Sequence, residues 1–159
     1  ALLAESEFID IFGVENSLTP AMDLFTKLGY LGLTCRLNTD AYLQQIGAGH
    51  LPHGAVAVAF SHSGSSADTV KALRLAKSHG AKTIAITKGI GAPLASWADV
   101  TLLTGRDWHT IYGMAIFSRV ADTALVDMLY MGVILSDYGR FSTALDESGR
   151  MIRDRVFEN

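Results

Sequence analysis

AVAVAF at residues 55–60 runs directly into SHSGSS at residues 61–66, and a helical pattern begins as soon as that loop ends. Six apolar residues in succession read as a strand covered on both faces. The helix that follows runs through Val70, Leu73 and Ala76, with Ser65 or Ser66 as its cap and Gly80 as its stop. A strand, a small polar loop and a helix make the first part of a crossover unit, and the unit recurs in both directions along the chain. FIDIFG (8–13), LTCRL (33–37), TIAIT (83–87) and DVTLL (99–103) read as further strands. Thr19 is the expected cap of a helix with Pro20 at its first position and Gly29 at its stop. Asp40 to Ile46 is a shorter helix, and Pro93 to Trp97 spans one turn or two. Strict alternation of strands and helices implies parallel pairing with right-handed crossovers. The expected class is α/β, a sandwich around a five-stranded parallel sheet.

The last third reads differently. From about Thr110 to Ser136 the pattern is helical, with Phe117, Ala121, Ala124, Met128, Met131 and Leu135 on one broad stripe. Leu125, Leu129 and Val133 widen it, and Arg119, Asp122 and Asp127 form a narrower polar side. A helix apolar over most of its girth is deeply buried or shared with a second subunit. A subunit interface is the expectation here. A weaker amphipathic helix carrying Phe141, Leu145, Ile152 and Val156 closes the chain.

Composition bounds the function. The 159 residues fit one domain with a full core, and 49% hydrophobic with 18% charged residues is ordinary for a globular α/β chain. A formal net charge of −3 argues against direct nucleic-acid binding, which needs clustered Lys and Arg. Cys35 is the one cysteine, so an internal disulfide is excluded, no metal site is expected, and a cytoplasmic setting is favoured. The apolar stretch from Ala124 to Leu135 is interrupted by Asp127 and is too short to cross a bilayer. Glu5, Glu7 and Asp10 stand where a secretory leader would be apolar. The chain opens on Ala rather than Met, and a module preceding it is expected.

In an open parallel sheet, ligands bind beyond the carboxyl ends of the strands. Three loops leave such ends with small polar residues: Gly13 to Ser17, Ser61 to Ser66, and Thr87 to Gly91. The second is the most telling. It offers four hydroxyls and a glycine at the start of a helix, where free N–H groups and the helix dipole favour an anion. Hydroxyls donate to phosphate oxygens without adding charge, and Gly64 allows a close backbone approach. No Gly-Lys-Ser/Thr follows, so this is no nucleotide-triphosphate loop, and no cofactor is expected. A plain turn with a serine cap is the competing reading of the same residues.

Ser-x-Ser-Gly-x-Ser after an apolar strand, with the helix ending KSHGAK at 77–82 and the strand TIAIT, resembles the sugar isomerase (SIS) domain. The first loop, the Pro93-Leu94-Ala95 turn and Ala98-Asp99-Val100 are similar as well. Ser118-Arg119-Val120-Ala121, continuing to LVDMLY at 125–130, resembles the SIS domain of RpiR-type transcription regulators. The resemblance implies a three-layer, flavodoxin-like or Rossmann-like sandwich over residues 1–159 and phosphosugar binding by Ser17, Ser61, Ser63 and Ser66. His62, Gly64 and Ser65 would add main-chain contacts, with Asn16 and Thr87 alongside. It also implies a homodimer or tetramer with the site near a subunit boundary, and an upstream helix-turn-helix module that carries DNA affinity. Three departures bear on ligand choice: Glu15 replaces the second glycine of the family's first loop, Ser65 its usual Glu, and Lys88 a common Asn or Asp.

An aldose–ketose isomerase needs a base over the sugar carbons. The serine loops read as having none, so no catalytic residue is assigned. Asp107 and His109 remain as candidates in a loop that also reads as solvated, and His62 is a candidate for sugar hydroxyls. His50, His53 and His79 sit at element ends and read as surface residues, and Cys35 reads as core. The expected function is a phosphosugar-sensing effector and dimerisation domain, with a stand-alone isomerase and a ligand-free dimerisation module as rivals.

Overall fold

The computed structural model describes residues 1–105 and 119–153 and contains all five expected strands. They are β1 (Ile9–Phe12), β2 (Cys35–Leu37), β3 (Val56–Phe60), β4 (Lys82–Thr87) and β5 (Val100–Leu103), all parallel, in the order β2-β1-β3-β4-β5. β3 is central, and its alternation divides the core. Val56, Val58 and Phe60 join Ile9, Ile11, Ile84 and Ile86 on one face. That face lies under α1 (Leu2–Glu5), α2 (Leu18–Tyr30), α5 (Val120–Ser136) and α6 (Tyr138–Met151), through Leu24, Leu28, Val126, Val133 and Phe141. Ala57, Ala59 and Ala85 face the other way, against α3 (Ala41–Ala48) and α4 (Ala67–Ser78). Alanines on the strands meet Ala72 and Ala76 of α4, so sheet and helix approach closely on this side. The result is the three-layer α/β sandwich.

Three helix ends differ in detail. Thr19 is not a cap: a 3-10 turn over Glu15–Ser17 runs straight into α2, which places Thr19 second and Pro20 third in the helix. Proline is tolerated there because a first-turn N–H has no helical acceptor to lose. The helix passes Gly29 and ends at Tyr30, with Gly32 (φ +72°) in the left-handed conformation that turns the chain away. α3 is capped by Asp40, whose carboxylate accepts the Leu43 N–H at 2.9 Å, and continues two residues past Ile46.

α5 is apolar nearly all round, as expected, with Val126 and Val133 buried against the sheet and Val120, Met128, Met131 and Leu135 exposed. Its polar side is not one side. Asp127 faces outward and pairs with Lys27 of α2, whereas Arg119 and Asp122 turn inward, Asp122 being 5% exposed. The portion of this helix expected from Thr110 to Ser118, with Phe117, and Val156 at the far end lie outside the described residues. Cys35 packs against the core, where burial pushes its thiol up to about 11. Among the described residues no helix is long and apolar enough to cross a membrane.

Candidate functional site

The strand order reverses between β1 and β3, and the crossovers on either side leave for opposite faces of the sheet. In such sheets the carboxyl ends of the two strands at the reversal frame a crevice. Here the crevice is a cavity of about 580 Å³. Val14, Glu15, Asn16 and Ser17 line it from the loop after β1, and Ser61, His62, Ser63 and Ser66 from the loop after β3. Asp68 in the first turn of α4 and Arg119 at the start of α5 complete the wall.

The serine loop is held from behind. Ser61 N–H donates to the Ile86 carbonyl at 3.0 Å, and Gly64 N–H closes a turn onto the Ser61 carbonyl at 2.9 Å. The His62 carbonyl accepts from Lys88 N–H (3.1 Å) and from the Thr87 hydroxyl (3.3 Å), and the Gly64 carbonyl from Leu94 N–H (2.9 Å). The His62 and Gly64 carbonyls are thus engaged from outside the loop and the Ser61 carbonyl within its own turn, which withdraws these three acceptors from the site. Ser66 caps α4 by position only: its hydroxyl accepts no first-turn N–H, and Thr69 Oγ1 donates to it instead at 3.3 Å. The first-turn donors of α4 are therefore not consumed by a cap. Ser17 and Ser61 are 8% and 3% exposed and line the cavity, yet neither hydroxyl has a hydrogen-bond partner among the described residues. Both oxygens stay accessible from the cavity, so they can donate to a ligand without first losing a protein partner.

The first loop is fixed by a residue that sequence reasoning missed. Gln44 of α3, 1% exposed, donates from Nε2 to the carbonyls of Gly13 and Asn38, both at 2.7 Å, and its Oε1 accepts the Gly13 N–H at 3.2 Å. A lone amide near Gly47 and Ala48, on the helix face that packs inward, was the available signal. Arg36 of β2 lies nearby and forms a two-pronged pair with Asp10 of β1, at 2.6 and 3.0 Å. Burial raises the Asp10 carboxyl above its ordinary value, although the Arg36 guanidinium pulls it down. Glu15, at φ +51°, is a non-glycine residue in left-handed backbone in the cavity wall.

Six of the nine expected ligand-binding residues line the cavity: Asn16, Ser17, Ser61, His62, Ser63 and Ser66. Gly64, Ser65 and Thr87 do not. Gly64 makes its close backbone approach to Thr87 and Ala92, not toward the cavity, and Thr87 supports the loop from below. Ser65 is exposed and turns its N–H to Ser63 Oγ at 3.2 Å. His62 corrects the expectation that no base stands at the serine loop. Burial, then the charges of Arg119 and Lys88, lower its basicity against the opposing pull of Asp122, so a neutral imidazole lines the wall. Asp68 and Arg119 were not expected at the site, and Asp107 and His109 lie outside the described residues. His50, His53 and His79 are exposed.

The family model for the SIS domain matches residues 2–132. The chain belongs to the SIS domain family. An uncharacterised HTH-type transcriptional regulator of Caldanaerobacter subterraneus subsp. tengcongensis is 31% identical over 99% of this chain and 56% of its own length. The HTH-type transcriptional regulator RpiR of Escherichia coli is 26% identical over 90% of this chain and 48% of its own length. This SIS domain thus spans about half the length of those regulators. The structure of Vibrio vulnificus NanR complexed with ManNAc-6P superposes with a TM-score of 0.90 at 24% identity, covering 99% of this chain and 59% of that one. The likeness carries the fold of the SIS domain, five parallel strands and helices on both faces.

Proposed function

We propose that this chain is the phosphosugar-sensing effector domain of a transcription regulator of the RpiR type. One observation carries the reading. Two largely buried serines, Ser17 and Ser61, whose hydroxyls make no hydrogen bond to another described residue, line a cavity at the N-terminus of a helix that has no side-chain cap. That arrangement suits the phosphate of a small ligand, and the cavity has room for a sugar beside it. The relatives are transcription regulators, and the sugar phosphate named with NanR belongs to the chemical class this cavity would take. DNA affinity would reside in a helix-turn-helix module outside these residues, and ligand binding would act on it by shifting the equilibrium between two arrangements.

A thermal-shift panel of hexose and pentose phosphates against the same sugars without phosphate tests this. Phosphorylated sugars should raise the midpoint, since a ligand at 100 times its dissociation constant adds about 2.7 kcal/mol. An equal shift from the free sugars overturns the reading. Ser63→Ala should weaken binding about tenfold or more without unfolding the domain, as expected for one lost hydrogen bond to a charged group. Wild-type affinity in that variant would remove Ser63 from the contact set.

The effector role also implies a second copy of the chain. The exposed side of α5, with Val120, Met128, Met131 and Leu135, is the apolar surface a dimer would cover. Sedimentation at micromolar concentration should give a particle larger than the 17.1 kDa chain, and a monomer at that concentration contradicts the expectation.

The rival reading, an aldose–ketose isomerase, gains something from the cavity: neutral His62 and Glu15 both line it, and either has the chemistry of a base. Fold does not decide between binding and turnover. The effector reading expects nothing above buffer in a coupled assay over common pentose and hexose phosphates. Turnover that disappears in His62→Gln would make the chain an enzyme.

A further inference from the structure

Arg119 sits where a cation is not at ease. It is the N-cap residue of α5, and the positive end of a helix favours anions, a role Asp122 fills three residues on. Its guanidinium turns inward and lines the cavity, with Nε and Nη1 buried and donating no hydrogen bond among the described residues. Nη1 stands 3.6 Å from Asp122 Oδ2, close enough for charge attraction and too far for a hydrogen bond. Asp122 therefore attracts the guanidinium without engaging Nε or Nη1 in a hydrogen bond. Buried donors with no acceptor are costly, and more so on a charged group. An acceptor arriving in the cavity would remove that cost.

Charge points to the nature of the acceptor. Glu15 and Asp68 line the cavity with two carboxylates, and Arg119 is the one cation among the described lining residues. A phosphate monoester brings about −1.5 to −2 more at neutral pH. The N-terminus of α4 answers with roughly +0.5 of an elementary charge, which leaves most of the anion uncompensated. The planar guanidinium fork matches phosphate oxygens two at a time.

We propose that Arg119 is a ligand-contacting residue that donates its guanidinium fork to the phosphate group of the bound sugar phosphate, closing the site from the α5 side. The proposal rests on the reading of this cavity as a phosphosugar site. It sets the serine hydroxyls and the α4 N-terminus on one part of the phosphate and a full positive charge on another. It also places the charge that responds to the ligand at the first turn of the helix whose other side carries the exposed apolar residues.

The test is calorimetric titration of wild type, Arg119→Lys and the double variant R119Q/D122N with glucose 6-phosphate, fructose 6-phosphate and ManNAc-6P. Inorganic phosphate is followed in parallel by phosphorus NMR. The double variant removes both charges together, so no buried carboxylate is left unpaired and the unliganded chain should melt near the wild type. Affinity for every bound phosphorylated probe, inorganic phosphate included, should fall tenfold or more in it. Arg119→Lys, which keeps the charge and loses the fork, should fall between it and wild type. A wild-type chain that binds none of the four overturns this proposal and the phosphosugar reading together. A wild type that binds, with a double variant binding equally well, overturns this proposal alone. Weakening for one sugar phosphate with inorganic phosphate unaffected would assign Arg119 to the sugar, which also overturns it.

Discussion

Arg36→Met should cost the domain about 3 kcal/mol of folding stability at pH 7, whereas Asp10→Asn should cost about 1–2 kcal/mol, the scale of a hydrogen bond to a charged group. Asp10 is 1% exposed, and both of its hydrogen bonds from a side chain come from Arg36, itself one-third exposed. Removing the guanidinium strands a carboxylate in the core, which typically costs 3–5 kcal/mol; the partial solvation of Arg36 puts this pair at the low end of about that range. Removing the carboxylate instead leaves a guanidinium that can turn to water. The pH dependence follows from the direction of the Asp10 shift. Burial raises its folded-state pKa above the unfolded value of 3.8, so ionising Asp10 costs stability above the folded pKa and costs nothing below the unfolded one. Without Arg36 the raise becomes larger, and the deficit of Arg36→Met should shrink as pH falls from 7 toward 4–5. Urea midpoints at several pH values measure this. A variant as stable as wild type at pH 7, or a deficit that grows on acidification, defeats the account. Because a Cβ on Gly47 would lie 2.6 Å from the Arg36 guanidinium, the same variant should also loosen α3 and, through Gln44, the Gly13 loop.

The strands were legible because each is a short apolar run bounded by small or polar residues, and β3 shows why that signal is strong. Its alanine and valine positions alternate, and the two sets separate onto the two faces of the sheet. Helix boundaries were less legible. Thr19-Pro20 carries a cap signal, but the 3-10 turn at Glu15–Ser17 is set by tertiary packing of the first loop, where a Cβ on Gly13 would already be 3.0 Å from the Ser17 carbonyl. No local pattern encodes that contact. The amphipathic reading of α5 failed in one respect for a related reason. Arg119 and Asp122 read as solvated because charged residues usually are, yet a helix that begins over the strand ends turns its first residues into the site.

The serine loop itself was readable from its composition, but its inner and outer residues were not. Ser61 and Ser65 are chemically alike, and one lines the cavity at 3% exposure while the other is exposed and hydrogen-bonds within the loop. What separates them is the turn at Gly64, whose carbonyl is claimed by Leu94, thirty residues later in the chain. Thr87, expected alongside the ligand contacts, donates its hydroxyl to the His62 carbonyl and so supports the loop. The contacts that decide such assignments connect three strand ends, and a single loop sequence does not carry them.

Gly64→Ala is the substitution expected to damage structure and binding together. Gly64 has φ +65°, a conformation that costs an alanine roughly 1–2 kcal/mol. A Cβ there would stand 2.3 Å from the Ala92 Cβ and 2.7 Å from Thr87 Oγ1. The first of these neighbours is fixed to the backbone and cannot rotate away, so the loops must separate, and overpacking of this kind costs about 1–3 kcal/mol more. A total near about 3 kcal/mol is expected. Gly54 provides the control. Its φ is +79°, but nothing lies within 4 Å of a Cβ placed there, so Gly54→Ala should show the backbone cost of about 1 kcal/mol and no more. Separation of the loops in Gly64→Ala would stretch the Leu94 to Gly64 and Lys88 to His62 hydrogen bonds, and the serines they hold would lose their common aim. Phosphosugar affinity should therefore fall further than in Ser63→Ala, by more than about tenfold, even at temperatures where the variant is fully folded. Urea titration of both glycine variants, followed by calorimetric titration of the folded proteins, reads both effects. A Gly64→Ala protein no less stable than Gly54→Ala would show that Ala92 and Thr87 yield freely. Undiminished affinity in a destabilised Gly64→Ala protein would mean that the serines keep their positions without the anchored turn.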